Sequence, residues 1–206
     1  MSQLQLFKLS TEEETLPVIY TPNFLTSNEA DQLFTYSKTL PWQQNRIRMI
    51  GKWVELPRQE VMYGDQGCNY IYSNSVELVA LPWTQELNEL KDRVEKITKY
   101  CYNIVIGNYY QTGSDYIGWH SDNEPSMGPL PAITSISLGA GRKFQLRKKG
   151  KGTTIHDYWL GHGSLLLMQP GCQQEYIHQL PKSSISLPRI NFTFRPWKKP
   201  AQNAQP

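Results

Sequence analysis

In the stretch WHSDNEP, from Trp119 to Pro125, a histidine and an aspartate lie two residues apart in a chain with only four histidines. Residues i and i+2 of an extended segment project to the same side, so His120 and Asp122 could bind one ion. A lone H-x-D is also common in polar turns that bind nothing. Two ligands do not make a site, so a third must come from elsewhere in the chain.

His178, in EYIHQLPK, is the natural third ligand. Two histidines and one carboxylate form the facial triad of non-haem Fe(II) oxygenases, which leaves positions open for a cosubstrate and O₂. His156 is a weaker alternative. His162 sits between glycines in LGHGS, where a turn with a satisfied imidazole suits it better than ligation.

A second polar array lies in RINFTFR, where alternate residues face opposite ways. Ile190, Phe192 and Phe194 form a core face. Arg189, Asn191, Thr193 and Arg195 form the other, which is either the outer face of an exposed sheet or the interior of a barrel lined for a polar ligand. In the second case the two arginines could clamp two carboxylates by paired hydrogen bonds. In NIVIGNYY, Asn108 and Tyr110 share a face with Ile104 and Ile106. They could complete a carboxylate site or be ordinary strand-end residues.

Elements able to hold such groups are visible. TSNEADQLFTYSKTL reads as a helix, with Thr26 and Glu29 at capping-box spacing and Leu33, Phe34 and Leu40 on one side. A second helix lies within TQELNELKDRVEKITKY, where Leu87, Leu90, Val94 and Ile97 recur every three or four residues. From Tyr102 the pattern changes to short β segments: NIVIGNYY, AITSISLG, RKFQLRKK, GSLLLMQ and RINFTFRPW. This is the spacing of a barrel or jelly roll, with the helices packed outside it. The fold class is mainly β with flanking helices, built on a double-stranded β-helix (jelly-roll) core. Residues 1–20 read as a flexible lead-in, 21–197 as one domain and 198–206 as a disordered tail.

With 206 residues the chain is long enough to bury a substantial core. Its net charge of +3 permits a polyanionic partner without demanding one. Basic residues cluster at Arg46, Arg48, Lys52 and Arg58, and again in RKFQLRKKGKG from Arg142 to Gly152; either run could be a solvated surface. Three cysteines without C-x-x-C argue for a reducing compartment and against a zinc ribbon or disulfide scaffold. No signal peptide or membrane-spanning run is visible, so a cytoplasmic (or nuclear) protein without membrane partners, and a monomer, is expected.

The order N-x-Y, H-x-D, a distant H and R-x-N-x-T-x-R is more specific than any one motif. Together with GKW, PR and YGD near residues 51–65, NYYQTGSDYIGWHSDNEP, SISLGAGRKFQLRKK and HGSLLLMQPG, it resembles the AlkB family of Fe(II)/2-oxoglutarate nucleic acid dioxygenases. The resemblance covers roughly residues 20–197 and is nearest to the animal DNA-repair members. It implies an oxidative demethylase using Fe(II), 2-oxoglutarate and O₂ on 1-methyladenine or 3-methylcytosine, releasing succinate, CO₂ and formaldehyde. By that resemblance His120, Asp122 and His178 hold the iron. Arg189, Tyr110 and Asn191 meet the distal carboxylate of 2-oxoglutarate, and Arg195 and Asn108 lie near the carboxylate beside the keto group.

The same resemblance makes residues 46–75 a nucleotide-recognition lid and 102–197 the jelly-roll core. The target atom is inaccessible in a duplex, so the base must be single-stranded or flipped out. Tyr72 would stack on it opposite His120, with polar contacts from Tyr70 and Arg58, while the basic hairpin at Arg147–Lys151 tracks phosphates. The alternative for Tyr70 and Tyr72 is cross-strand packing in a hairpin. Two positions depart from the family. Ile50 stands where duplex-repair members carry an aromatic wedge, and Asn123 where close relatives carry an aspartate that contacts the exocyclic amine of the base. Asn123 brings no formal charge, which predicts a weaker preference for cationic adducts unless Glu124 supplies the charge. Rival readings are a 2-oxoglutarate dioxygenase acting on RNA, protein or a small molecule, and a nucleic-acid-binding β protein without catalysis.

Overall fold

The computed structural model describes residues 16–73, 76–150 and 154–198. The chain begins with strand β1 (Val18–Thr21), helix α1 (Ser27–Ser37) and the hairpin β2 (Arg46–Met49)–β3 (Lys52–Glu55). Strand β4 (Gln59–Gly64) leads to a second hairpin, β5 (Asn69–Tyr72)–β6 (Val76–Val79), then to β7 (Leu81–Pro82) and helix α2 (Gln85–Thr98). The rest is β8 (Ile104–Tyr110), β9 (Ile117–His120), β10 (Ile133–Gly139), β11 (Arg142–Lys148), β12 (His156–Leu160) and β13 (Ser164–Met168). A short helix α3 (Cys172–Glu175), β14 (Tyr176–Leu180) and β15 (Arg189–Arg195) close the chain.

Two sheets face each other. The larger has the order β1-β13-β10-β15-β8-β4-β7 and the smaller β12-β11-β14-β9. Neighbours in the large sheet that are far apart in sequence, such as β15 between β10 and β8, give the crossed-over connectivity of a jelly roll. The two hairpins β2–β3 and β5–β6 form separate two-stranded sheets. The lead-in is shorter than expected, because Val18–Thr21 pair with Leu165–Met168 as an edge strand. Residues 1–15 and the tail 199–206 lie outside the described residues.

One face of the large sheet packs on the helices. Ile190, Phe192 and Phe194 are fully buried there in one cluster with Leu87, Leu90 and Val94 of α2. Burying each such side chain contributes about 1.5–3 kcal/mol relative to leaving it in water. Ile97 departs from its expected role: it is 60% exposed, at the frayed end of α2 before the left-handed Lys99. At the start of α1, Thr26 Oγ1 accepts from the Glu29 amide while the Glu29 carboxylate accepts from the Thr26 amide, as the spacing requires. Gly139 has φ +80° at the end of β10, and a Cβ there would meet the Pro188 carbonyl at 2.5 Å and the Phe34 ring at 2.8 Å. Only glycine lets α1 approach so closely. No helix among the described residues is long and apolar enough to cross a membrane.

Candidate metal centre and the cavities beside it

The other face of the large sheet looks into the jelly roll, and there the polar rows line up. Across four strands Glu60, Asn108, Asn191 and Ser137 are in register, and Tyr110 lies opposite Arg189. All seven residues of β15 are buried, with Arg189 2% and Arg195 7% exposed. The arginine strand therefore faces the interior and not solvent, the alternative its alternation alone left open. The apolar remainder of this interior is Ile104, Ile106, Met62 and, from the small sheet, Phe144 and Leu146.

The small sheet supplies the histidines. β14 pairs with β9 so that His178 lies directly opposite His120, with ring centroids 4.3 Å apart. Asp122 follows β9 and turns its carboxylate between them, 3.7 Å from His120 Nε2 and 3.8 Å from His178 Nε2. One donor atom from each of the three lies within 4.8 Å of the others. His120 Nδ1 is 2.8 Å from the Gly118 carbonyl, so it carries the proton and leaves Nε2 as a lone-pair donor. Burial, and then the neighbouring His120, lower His178 to about pKa 3, so it is neutral at pH 7. Burial alone would raise Asp122, but Arg195, whose Nη2 donates to Oδ2 at 3.1 Å, holds it below the usual carboxylate range. Two imidazoles and a carboxylate fit a divalent first-row metal.

A narrow cavity on one side of this triad is lined by Asn108, Tyr110, Arg189, Asn191, Thr193 and Arg195. Arg189 donates to Ser137 Oγ at 2.9 Å and lies over the Tyr110 ring, yet its Nε has no partner, nor has that of Arg195. Burial pulls Arg189 down to about pKa 10. Buried guanidinium groups with free donors are suited to a carboxylate ligand. Asn191 uses both amide hydrogens, on Ser135 Oγ and the Ile136 carbonyl, and accepts from Thr193.

On the other side a cavity of about 560 Å³ opens toward the β2–β3 and β5–β6 hairpins, with Arg58, Tyr70, Tyr72, Glu124 and Trp119 in its walls. Tyr70 is buried and Tyr72 half-buried, their ring centroids 6.0 Å apart. The Tyr70 hydroxyl accepts from Arg195 Nη1, and Glu124 Oε2 is buried without a partner. Asn123 lies elsewhere: it is exposed and borders a different cavity with Lys149 and Gln173. Ile50 stands fully exposed at the tip of the β2–β3 hairpin with φ 47°, beside exposed Met49 and Trp53.

One residue of each basic run lies in the interior. Arg58 is 8% exposed and not a surface charge, because its guanidinium is held by Glu60 and Asn108. Arg142 is fully buried and donates to the carbonyls of Thr112, Asp115 and Pro181, tying together loops at the Arg189 end of the interior. Arg147 stacks over Trp119 at 4.6 Å, and residues 151–153 of the basic hairpin lie outside the described residues. His162 takes the turn role: Nδ1 accepts from the Gly139 amide and Nε2 faces Asp31 at 3.2 Å.

Two residues escaped the sequence reading. Gln173, fully buried in α3, accepts from the Asp122 amide at 2.9 Å and fixes the backbone that carries this carboxylate. Glu60, 2% exposed, holds Arg58, Asn45 and Tyr72. Arg58, just before β4, and Glu60 within it form an R-x-E pair in which both charged residues are buried, and that spacing was a usable signal.

Residues 17–195 match the 2OG-Fe(II) oxygenase superfamily. The chain belongs to that superfamily. It is 36% identical over 158 residues to mouse DNA oxidative demethylase ALKBH2, covering 73% of this chain and 66% of that one. It is 35% identical over 184 residues to mouse alpha-ketoglutarate-dependent dioxygenase alkB homolog 3, covering 84% and 64%. These relatives place it in the AlkB family, and the chain spans about two thirds of their length. Its fold is similar to that of a Pseudomonas putida prolyl-4-hydroxylase, with TM-score 0.61, 11% identity and coverage of 90% and 95%. The structure of OsALKBH1 is also similar, with TM-score 0.54, 14% identity and coverage of 87% and 98%.

Proposed function

We propose that this protein is an Fe(II)- and 2-oxoglutarate-dependent oxidative demethylase of N-alkylated DNA bases of the 1-methyladenine and 3-methylcytosine type. The observation that carries the reading is the place of the His120–Asp122–His178 triad, between an arginine-lined cavity and a lid-walled one. Bound iron and 2-oxoglutarate would supply oxidation of a C–H bond by O₂, coupled to decarboxylation of the cosubstrate to succinate. His120, Asp122 and His178 would hold the iron.

Arg189, with Tyr110 and Asn191 beside it, would take the distal carboxylate of 2-oxoglutarate. Arg195 and Asn108, nearer the triad, would face the carboxylate next to the keto group. The base would enter the larger cavity and stack on Tyr72, with Tyr70 and Arg58 fixing the polar surroundings. Enclosure by the lid keeps water from the reacting carbon. Once hydroxylated, that N-methyl carbon leaves as formaldehyde and the base is restored.

Glu124 supports a preference for cationic bases. Its buried, unpartnered Oε2 is an acceptor and a charge within the cavity, whereas Asn123 lies outside it. Ile50 supports an aliphatic wedge, since an exposed apolar tip on a hairpin can enter a base step. DNA is favoured over RNA by the similarity to mouse ALKBH2, a DNA oxidative demethylase.

Formaldehyde release from a methylated oligonucleotide, the free methylated nucleoside and a peptide panel tests the substrate class. Release from the oligonucleotide alone is expected; release only from the nucleoside or a peptide overturns the reading.

A further inference from the structure

Glu60 is a buried carboxylate on the wall of the lid cavity that accepts from three donors on three segments. Arg58 Nη2 donates to Oε1 at 2.8 Å. Asn45 Nδ2, at the entrance to the first lid hairpin, donates to Oε2 at 2.9 Å, and the Tyr72 hydroxyl, on the second lid hairpin, donates to the same oxygen. Arg58 then continues the chain inward, since its Nε donates to Asn108 Oδ1 at 2.8 Å.

The polarity of this chain is fixed by its members. A guanidinium is a donor only, so the atom of Asn108 that faces Arg58 must be the oxygen. The Asn108 NH₂ is thereby left for the narrow cavity, where a carboxylate would need a donor. Carboxylates accept only, so Tyr72 must donate to Glu60, which locks the phenol in one orientation. Burial, and then the Glu60 charge, raise the Tyr72 hydroxyl well above its ordinary range, so it keeps that proton.

We infer that Glu60 is a positioning residue that links base engagement to cosubstrate binding. It touches neither the triad nor, in the arrangement proposed above, either ligand's reacting atoms. A base that settles against Tyr72 would also tighten Glu60, Arg58 and the Asn108 amide, and a cosubstrate that engages Asn108 would tighten the lid by the same route. Such coupling is reciprocal: each ligand raises the affinity for the other by the same factor. This rests on the reading of the two cavities as cosubstrate and base sites.

Binding measurements without turnover test it. With Mn(II) in place of Fe(II), affinity for a 3-methylcytosine oligonucleotide is measured by anisotropy with and without 2-oxoglutarate, and 2-oxoglutarate affinity is measured without DNA. The wild type is expected to bind the oligonucleotide about fivefold or more tighter when 2-oxoglutarate is present. Glu60→Gln is nearly isosteric but offers one acceptor oxygen to three donors. It is expected to remove that factor and to weaken 2-oxoglutarate alone about tenfold. Tyr72→Phe deletes a single oxygen, so it is expected to reduce the factor while leaving 2-oxoglutarate binding without DNA unchanged.

A wild-type factor of one, or an undiminished factor in Tyr72→Phe and in folded Glu60→Gln, overturns the coupling. A folded Glu60→Gln that binds 2-oxoglutarate like the wild type overturns the Asn108 half of the network. If the wild type binds no methylated oligonucleotide in either state, the coupling falls together with the functional reading; intact 2-oxoglutarate binding would show that the failure lies on the nucleic-acid side.

Discussion

His178 and His120 are cross-strand partners on β14 and β9, their rings 4.3 Å apart, and Asp122 closes the triangle from the loop that follows. Strand pairing therefore sets the spacing of two donor atoms, while the third depends on a loop. The rigid and the adjustable parts of the site can be tested apart.

Removing a rigid part should be absolute. His178→Ala is expected to lose retained iron and turnover together, because two remaining ligands hold a divalent ion weakly. Metal content after gel filtration, read beside activity, checks this. A variant that keeps both would remove His178 from the ligand set.

Removing support from the loop should be graded. Gln173→Leu deletes the acceptor for the Asp122 amide within a fully buried pocket. Metal affinity is expected to fall by about 10–100-fold with the fold retained. Competition between Mn(II) and a fluorescent chelator measures it.

The charge presented to the base is expected to come from Glu124. Glu124→Gln should lower turnover of 3-methylcytosine about tenfold relative to a neutral etheno adduct, since a buried charge-assisted contact is lost. Asn123→Asp should change that ratio by less than about twofold, because the exposed side chain meets solvent and salt. Steady-state kinetics on the two oligonucleotides decide between these positions.

The fold carries its own pH signature at Glu29. The Thr26 amide, then Arg93 and the Thr26 hydroxyl, lower this carboxyl from 4.5 to about 2. A depressed native pKa stabilises above the unfolded value and is lost as pH falls through the folded one. The melting-temperature difference between wild type and Glu29→Gln should thus be full above pH 4.5 and fade toward pH 2. A difference independent of pH would show that the capping carboxylate is not the source.

Much of this arrangement was legible in the residues, and the exceptions have physical causes. The long segments that became β8, β10, β11 and β15 and the continuous apolar run of β13 announce themselves, and the cap at Thr26 and Glu29 marked α1. β9, β12 and β14 did not, because four or five residues mixing polar and aromatic types carry too little periodicity. The triad was nevertheless found, since ligand types and order survive without knowledge of the strand that places His178 opposite His120. Arg58 and Arg142 misled as surface charge: a buried arginine looks like any other until the carboxylate or carbonyls that hold it are located. Gln173 acts through a hydrogen bond to Asp122, distant in sequence, which spacing does not encode, whereas the spacing of Glu60 from Arg58 could have been read.

The hairpin tip separates duplex from single-strand chemistry. Ile50→Ala removes the apolar projection, leaving both cavities intact. Turnover on duplex DNA should fall about tenfold while single-strand turnover stays within about twofold, because unstacking costs a few kcal/mol only in the duplex. Equal losses on both would assign Ile50 to general binding.

Base demethylation is tested most directly by mass spectrometry of the nucleic acid itself. The protein is loaded anaerobically with Fe(II) and 2-oxoglutarate, mixed with oligonucleotides carrying 1-methyladenine or 3-methylcytosine, and exposed to air. Loss of the methyl group that requires iron, 2-oxoglutarate and O₂ together is the expected result. Methylated strands that stay unchanged, single and duplex alike, while the protein retains iron and binds 2-oxoglutarate, would contradict it.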